Sequence, residues 1–448
     1  MKRVTNTGKV SPNCFSSAFI RLLLLALWLP GFTGRGAGVF DVRHYGAKGD
    51  GKTLDTAAIQ QALDECGKSG GGTVHFSAGT YLSKPIVIGN RTVVQLDAGA
   101  RLQATDDPED FRKAGSSSYI HFVTGKNLTD VALVGPGVID GAGAKWWVPA
   151  EEARRKVRGF TLPRPNLIVL TGCKNVRLEN LTLQNSPKFH FVPADCDGVL
   201  VSNVTVLAPP RSPNTDAIDP SGSRHILITK CRIDVGDDNI AIKSGKKIAG
   251  HEFACEDITV TDCTFLHGHG MSIGSEAVGG VRNVIVRNCI FENTENGLRI
   301  KSQRGKGGVI ENIGYSDITM KNVDPAITFT CYYATNSAQD AVQHDLPAED
   351  ASQTVNQTTP VYRNIRISNL TATCPRSAGM IIGLPESPIA NVLLENFHIT
   401  AARTGLLIRN AKGIQLKDIQ VSAQEGPPVI VENAEVKGLE DAKGAVRK

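Results

Sequence analysis

Asn175–Leu183 reads NVRLENLTL: a polar start, apolar residues at alternate positions, then an Asn before a second apolar group. The pattern recurs as GVLVSNVTV from Gly198, HILITKCRI from His225, DITVTDCTF from Asp257 and NVIVRNCIF from Asn283. It continues as NIGYSDITM from Asn312, NIRISNLTA from Asn364, NVLLENFHI from Asn391 and GIQLKDIQV from Gly413. Alternating apolar residues mark half-buried strands. The copies start 23, 27, 32, 26, 29, 52, 27 and 22 residues apart, with no helical pattern between them. Short strands repeated in this way describe the coils of a parallel β-solenoid. A β-sandwich also has short strands, but it has no need of one motif on nearly every turn.

Between copies lies a further strand-like segment: NIAIK, MSIGS, GLRIK, AITFT, MIIGL and GLLIR. The interval from Asn312 to Asn364 is about two coils long, but it holds the polar run NSAQDAVQHDLPAEDASQTVNQTT. That run reads as a loop, not as another rung. LDTAAIQQALDECG, from Leu54, supplies a helical cap for the open apolar end of the first coil. Asp55 is placed to N-cap it, Ile59, Ala62, Leu63 and Cys66 share one face, and Gly67 is placed to end it.

The expected fold is therefore all-β: a right-handed, single-stranded parallel β-helix with an N-terminal capping helix. One such domain spans residues 39–437, and the polar tail 438–448 is expected to fray. Residues 1–38 read as a signal peptide, with a basic start, LLLLALWLP at Leu22–Pro30 and small residues Gly36 and Gly38 before Val39. The apolar run is short for a membrane span. Secretion to the periplasm or the exterior is expected, with no membrane attachment once the signal is removed.

The formal net charge is +5, yet residues 1–38 carry five basic residues and no acid. Without them 44 basic residues face 44 acidic ones. No global field for nucleic acid or membrane remains, so anion recognition must be local. Nine cysteines lie beyond residue 38, at spacings that fit no zinc site. Cys231, Cys263 and Cys289 share one motif position and should stack inward as thiols. Cys173 and Cys196 fall on adjacent coils, within disulfide reach. Asn180, Asn203 and Asn369 head N-x-Ser/Thr triplets that arise from the repeat itself.

CRIDVGDDNIAIKSG, from Cys231 to Gly245, sets two adjacent acids in a strand frame. In a solenoid, equivalent positions stack about 4.8 Å apart. Aligning Ile218, Ile240, Met271 and Leu298 places Asp216, Asp238, His269 and Asn296 in one column. Asp237 flanks it, and Arg299 and Lys301 follow, Lys301 level with Lys243. Alternation with Leu298 and Ile300 points both cations outward. Neighbouring carboxylates repel, which gains folding nothing but serves acid–base chemistry. A carboxyl flanked by two others, as Asp237 is, should keep its proton to higher pH.

NTD at Asn214–Asp216, GDD at Gly236–Asp238, GHG at Gly268–Gly270 and RIK at Arg299–Lys301 resemble, in order, the four motifs of the polygalacturonases, glycoside hydrolase family 28. FDVRHYGAKGDGKTLDTAAIQQAL and GPGVIDGAGAKWW also look like that family's N-terminal region. The resemblance covers most of residues 39–420. It implies hydrolysis of α-1,4-galacturonosyl links of polygalacturonate, with inversion. By resemblance Asp237 is the general acid, Asp216 and Asp238 activate water, and His269 supports the acid's protonation. Arg299 and Lys301 then bind substrate carboxylate, Asn214 lies in the substrate site, and either Tyr332 or Tyr333 contributes. An acidic polysaccharide is the expected partner, the chain is expected to act as a monomer, and neither cofactor nor metal is called for.

Three rivals share the fold class. A pectate lyase would need calcium carboxylates, whereas these acids alternate with His, Arg and Lys. A rhamnogalacturonan hydrolase would share the fold, but the NTD and RIK motifs favour galacturonate on both sides of the cut. A non-catalytic β-helical binding protein would release no reducing ends. AKWWVPAEEARRKVRGF and the Tyr333–Pro360 loop could each wall off a groove, which favours attack from chain ends.

Overall fold

The computed structural model describes residues 38–157, 161–245, 254–333, 350–401, 403–442 and 444–447. It is a parallel β-helix with three faces per coil. Each nonapeptide forms two of them. Lys174–Glu179, Asp197–Ser202, Arg224–Thr229 and Cys255–Thr261 pair in sequence along the first face. Thr182–Gln184, Thr205–Leu207, Arg232–Asp234 and Thr264–Phe265 pair along the second. The third carries Phe191–Ala194, then Ile240–Ile242, Met271–Gly274, Leu298–Lys301 and Ile327–Thr330. Ile218 bridges Phe191 to Ile240.

The repeated Asn, Asp and Gly residues make the corners. The first residue of every nonapeptide has φ between +54° and +78°, and the sixth between +48° and +58°. Gly, Asn and Asp take up this left-handed region at the lowest cost, and they fill all of these positions except His225 and Lys230. The side chains then ladder along the axis. Asn203 Nδ2 donates to Asn180 Oδ1 and Asn396 Nδ2 to Asn369 Oδ1, both at 2.8 Å. Asn369 Nδ2 donates to Asp317 Oδ1, also at 2.8 Å. The N-x-Ser/Thr triplets are thus parts of corner ladders. Inside, Val176, Val199, Ile226, Ile258, Val284 and Ile313 stack in the core, none more than 2% exposed. Full burial of each contributes about 1.5–3 kcal/mol.

Register follows the repeat spacing throughout. Ile313 pairs with Ile365, so the 52-residue interval is a single coil with a long excursion; residues 334–349 of that excursion lie outside the described residues. The repeat misses the coils before Asn175. Gly72–Phe76, Thr92–Leu96 and Thr129–Val134 extend the first face toward the N-terminus. Their corners are widened by Asp97–Gly99 and Gly135–Gly137, which separate the two apolar groups and hide the nonapeptide.

Helix α1 (Thr56–Lys68) covers the first coil with Ile59, Ala62, Leu63 and Cys66, all buried. Its ends differ from expectation. Asp55 occupies the N-cap position, but its carboxylate instead accepts the Lys48 and Gly49 amides at 2.7 and 2.9 Å. The helix runs through Gly67 to Lys68, and the left-handed turn falls on Gly70 and Gly71. A 13-residue helix α2 (Ala144–Lys156) holds the Trp-rich segment.

Where fraying is expected, the described tail residues hold structure. Val446–Arg447 pairs with Ile430 and Val431, and Ala442 is buried after a 3-10 turn at Leu439–Asp441. The leader expected at residues 1–38 lies outside the described residues apart from Gly38, which opens the first strand. No helix among the described residues is long and apolar enough to cross a membrane. All nine described cysteines are buried thiols. Cys173 and Cys196 do lie level on adjacent coils, but they are not bridged. Each thiol turns back to the carbonyl two residues before it, Thr171 at 3.5 Å and Ala194 at 3.3 Å.

At the N-terminal end His75 bridges Asp41 at 3.0 Å and Asp97 at 2.8 Å. Burial alone would lower its pKa, but hydrogen bonds and attraction from Asp97 and Asp41 raise it above the ordinary value of 6.5. A histidine raised on folding stabilises fully below its unfolded pKa, and the benefit fades as pH rises through the folded one. His75→Gln should therefore cost most in acid, with the Tm gap closing as melts move from about pH 5 to about pH 9. A gap that widens with pH would refute the assignment.

Candidate active site

The third face begins where each coil turns out of the second, and these turns carry the acids. Ile218, Ile240, Met271 and Leu298 are in register, as the sequence alignment requires. Asp216, Asp237, Asp238 and His269 therefore meet on consecutive rungs. The two glycines of GHG are obligatory. A Cβ at Gly268 would lie 2.5 Å from the Asp237 carbonyl oxygen, and one at Gly270, with φ +73°, 2.1 Å from that of Asn296. The His269 amide donates to the Asp237 carbonyl at 2.8 Å. Buried Asn239 ties the same two turns, donating to the His267 carbonyl and accepting the Gly270 amide, each at 2.8 Å.

His269 Nδ1 lies 3.0 Å from Asp237 Oδ1, and its Nε2 lies 3.2 Å from Glu295 Oε2. Burial opposes the imidazolium, but Asp237 and Glu295 push the His269 pKa up to about 10. Burial likewise opposes ionisation of Asp237, yet His269, Lys301 and Arg299 together hold its carboxyl below the ordinary range. The sequence expectation that Asp237 keeps its proton is thus corrected for the free site, because its neighbouring charges are cationic as well as anionic. The raised acid is Asp216, through burial and then repulsion from Asp219 and Asp237. Burial takes Asp219 up to about 6. Lys243 Nζ bridges this pair, 3.3 Å from Asp216 Oδ2 and 2.6 Å from Asp219 Oδ2. Among the described residues, Oδ1 of each is buried without a hydrogen-bond partner.

Asp238 is held charged. Lys301 Nζ reaches its Oδ2 at 2.7 Å; Arg299 and the Ser272 hydroxyl, the latter at 2.9 Å, reach its Oδ1. Arg299 and Lys301 do lie outside the coil, but only 3% and 5% exposed. The outward cations expected for substrate are thus already shared with Asp238. Arg304, from the same basic segment, is committed to Asp350 at 2.7 Å and Glu386 at 2.6 Å. Asn214 joins the site directly: it accepts from Arg164 Nη2 at 2.7 Å, and its Nδ2 is 3.5 Å from Asp237 Oδ2.

The two tyrosines separate. Tyr332 donates to Asp350 at 2.8 Å, beneath Arg304, while the Tyr333 ring lies 5.1 Å from Lys301 Nζ. Tyr333 is the one beside the acids. Asp237, Asp238 and His269 offer ligand atoms within 4.8 Å of one another. A divalent ion bound there would compete with Arg299 and Lys301 for Asp238, so this donor set does not suit a metal.

Residues 74–412 match the sequence profile of the Glycosyl hydrolases family 28. The chain belongs to that family. Over 306 residues it is 37% identical to an endo-polygalacturonase of Pectobacterium carotovorum subsp. carotovorum, covering 64% of this chain and 74% of that protein. Among solved structures it is similar to the polygalacturonase of Erwinia carotovora ssp. carotovora. The identity is 30%, the TM-score 0.64, and the match covers 89% of this chain and 94% of that one. It is also similar to a hyperthermoactive exopolygalacturonase of Thermotoga maritima. There the identity is 27% and the TM-score 0.68, over 90% and 92% of the two chains. The right-handed parallel β-helix and the glycosidase class are those of family 28.

Several residues of this family 28 site escape a reading by motif. Asp219 and Lys243 sit three residues after Asp216 and level with Lys301, so register alone could have found them. Arg164 donates to the Pro187 and Pro213 carbonyls at 2.9 and 2.7 Å from a segment with no periodicity. Fully buried His190 supports the Asp216 backbone: its Nδ1 is 3.1 Å from the Asp216 carbonyl and its Nε2 accepts the Ser186 amide at 3.3 Å. Burial lowers the His190 pKa to about 4, so this imidazole stays neutral.

Proposed function

We propose that the protein hydrolyses α-1,4-galacturonosyl linkages of polygalacturonate by general acid–base catalysis with inversion. One observation carries the reading. A carboxyl–imidazole pair, Asp237 with His269, lies beside Asp238, a carboxylate kept charged by two buried cations. The first can deliver a proton and the second can take one, as glycoside hydrolysis requires. In the free site the proton rests on His269. It passes to Asp237 along their hydrogen bond as the glycosidic oxygen approaches, and Asp237 gives it to the departing sugar. Water attacks the anomeric carbon and loses its proton to Asp238, with Asp216 alongside. Arg299 and Lys301 keep donors beyond those given to Asp238, and these serve the substrate carboxylate with Tyr333 close by. The names of the relatives support galacturonate; inversion rests on the motif resemblance.

Digestion of polygalacturonate tests this. New reducing ends without unsaturated product, undiminished by a chelator, are expected. Unsaturated ends or dependence on calcium would replace the hydrolase with a lyase.

We further place the attack at chain ends. A cavity of about 630 Å³ continues the row of acid-bearing corners toward the N-terminus, lined by Trp147, Lys145, Asn185, Asp106 and Asp110. Helix α2 stands over it, with Trp147 Nε1 donating to the Ser186 carbonyl at 3.0 Å. Steady release of monomer or dimer is expected; rapid viscosity loss with mixed oligomers would overturn it. The protein is proposed to act as a monomer outside the cytoplasm.

A further inference from the structure

We infer that Lys188 is a second carboxylate-recognising residue of this site, on the Asp216 side of the acids, for a uronate unit of the substrate. This rests on the polygalacturonate reading above. Lys188 lies in the turn from Thr182–Gln184 to Phe191–Ala194, one coil before Asp216. That turn is built onto the acid coil: the His190 amide donates to the Asp216 carbonyl at 2.8 Å. The Lys188 ammonium lies 4.5 Å from the centre of the Phe189 ring, and the Lys243 ammonium lies 4.1 Å from the same centre.

The other cations of the site already have partners. Arg299 and Lys301 share Asp238, Lys243 bridges Asp216 and Asp219, and Arg164 donates to two carbonyls and Asn214. Lys188 forms no ion pair among the described residues: its ammonium lies against the Phe189 ring and feels Asp216 and Asp219, both already bridged by Lys243, only at longer range. Half-burying an ammonium that pairs directly with no carboxylate is costly, and it leaves the Lys188 charge free to take an incoming one. Burial lowers its pKa, and with Lys243 and Arg164 outweighs the attraction of Asp216 and Asp219, a cost that a bound anion would relieve. A compact ammonium suits a single carboxylate. Arg299 and Lys301 lie on the opposite side of Asp237 and Asp238 in coil order, so a chain crossing the acids would meet one cationic contact on each side of the cut.

The test measures binding and turnover together. Lys188→Gln and Lys188→Arg are each combined with Asp237→Asn, which should bind without cleaving, and titrated calorimetrically beside Asp237→Asn alone with a galacturonate oligomer and with its methyl ester; kcat and KM on both are taken with Asp237 intact. Lys188→Gln should weaken the free-acid oligomer roughly ten- to hundredfold, mainly in Kd and KM. It should leave the ester little changed, and Lys188→Arg should restore most of the loss. Equal loss on acid and ester, or none on either, would overturn the assignment and leave Lys188 a packing residue. Wild-type protein that binds the oligomer without cleaving it would overturn the hydrolase reading instead, while the acid-versus-ester comparison would still decide Lys188.

Discussion

Asp237→Asn should lower kcat on polygalacturonate by about 10²–10⁴-fold, the usual worth of general acid help. KM should change little, because the amide keeps the shape of the carboxyl. The diagnostic substrate is a galacturonide with a nitrophenolate leaving group, which departs without needing a proton. On it, Asp237→Asn should lose far less. Asp238→Asn lacks the charge that activates water and should be poor on both substrates. Asp216→Asn needs the same pair of assays, because the Asp216 pKa is raised in the free site, through burial and then repulsion from Asp219 and Asp237. If Asp237→Asn is equally impaired on both substrates while Asp216→Asn is spared on the activated one, the acid role belongs to Asp216.

Asp238→Asn should also be among the most destabilising single changes in the molecule. Asp238, Arg299 and Lys301 are 2%, 3% and 5% exposed. Removing the anion that both cations bond strands two buried charges, and breaking a buried ion pair costs about 3–5 kcal/mol. A fall in Tm should accompany the fall in kcat. Replacing the whole set, Asp238→Leu with Arg299→Met and Lys301→Met, removes both stranded cations and leaves Asp237 to His269. That triple variant should recover much of the Tm and none of the activity. A wild-type Tm in Asp238→Asn would show that water or rearrangement already compensates the pair.

The coils after Asn175 were legible because two left-handed corners recur five residues apart, and only a few side chains suit them. That one constraint gave the strand register, and register placed Asp216, Asp238, His269 and Lys301 on one face. Before Asn175 the corners widen, and the same reading fails. Charge compensation was not legible. Nothing local to Asp238 says that its partners lie 61 and 63 residues away. Pairing of Asp237 with His269 follows from the stack, but the rise in the His269 pKa depends also on Glu295. Arg164, Lys188 and His190 come from turns, whose paths a strand pattern does not predict.

The corners that let copies 22 to 52 residues apart stack in one register also separate two kinds of change. Lengthening a turn between them need not shift a rung, so whatever the turn carries can be exchanged while the acids stay in place. Loops could therefore be grafted onto this rack one at a time, each altering which sugars reach the acids or how many fit. Substrate range and catalytic chemistry would then be separately adjustable, with the asparagine ladders as the fixed datum from which each graft is measured.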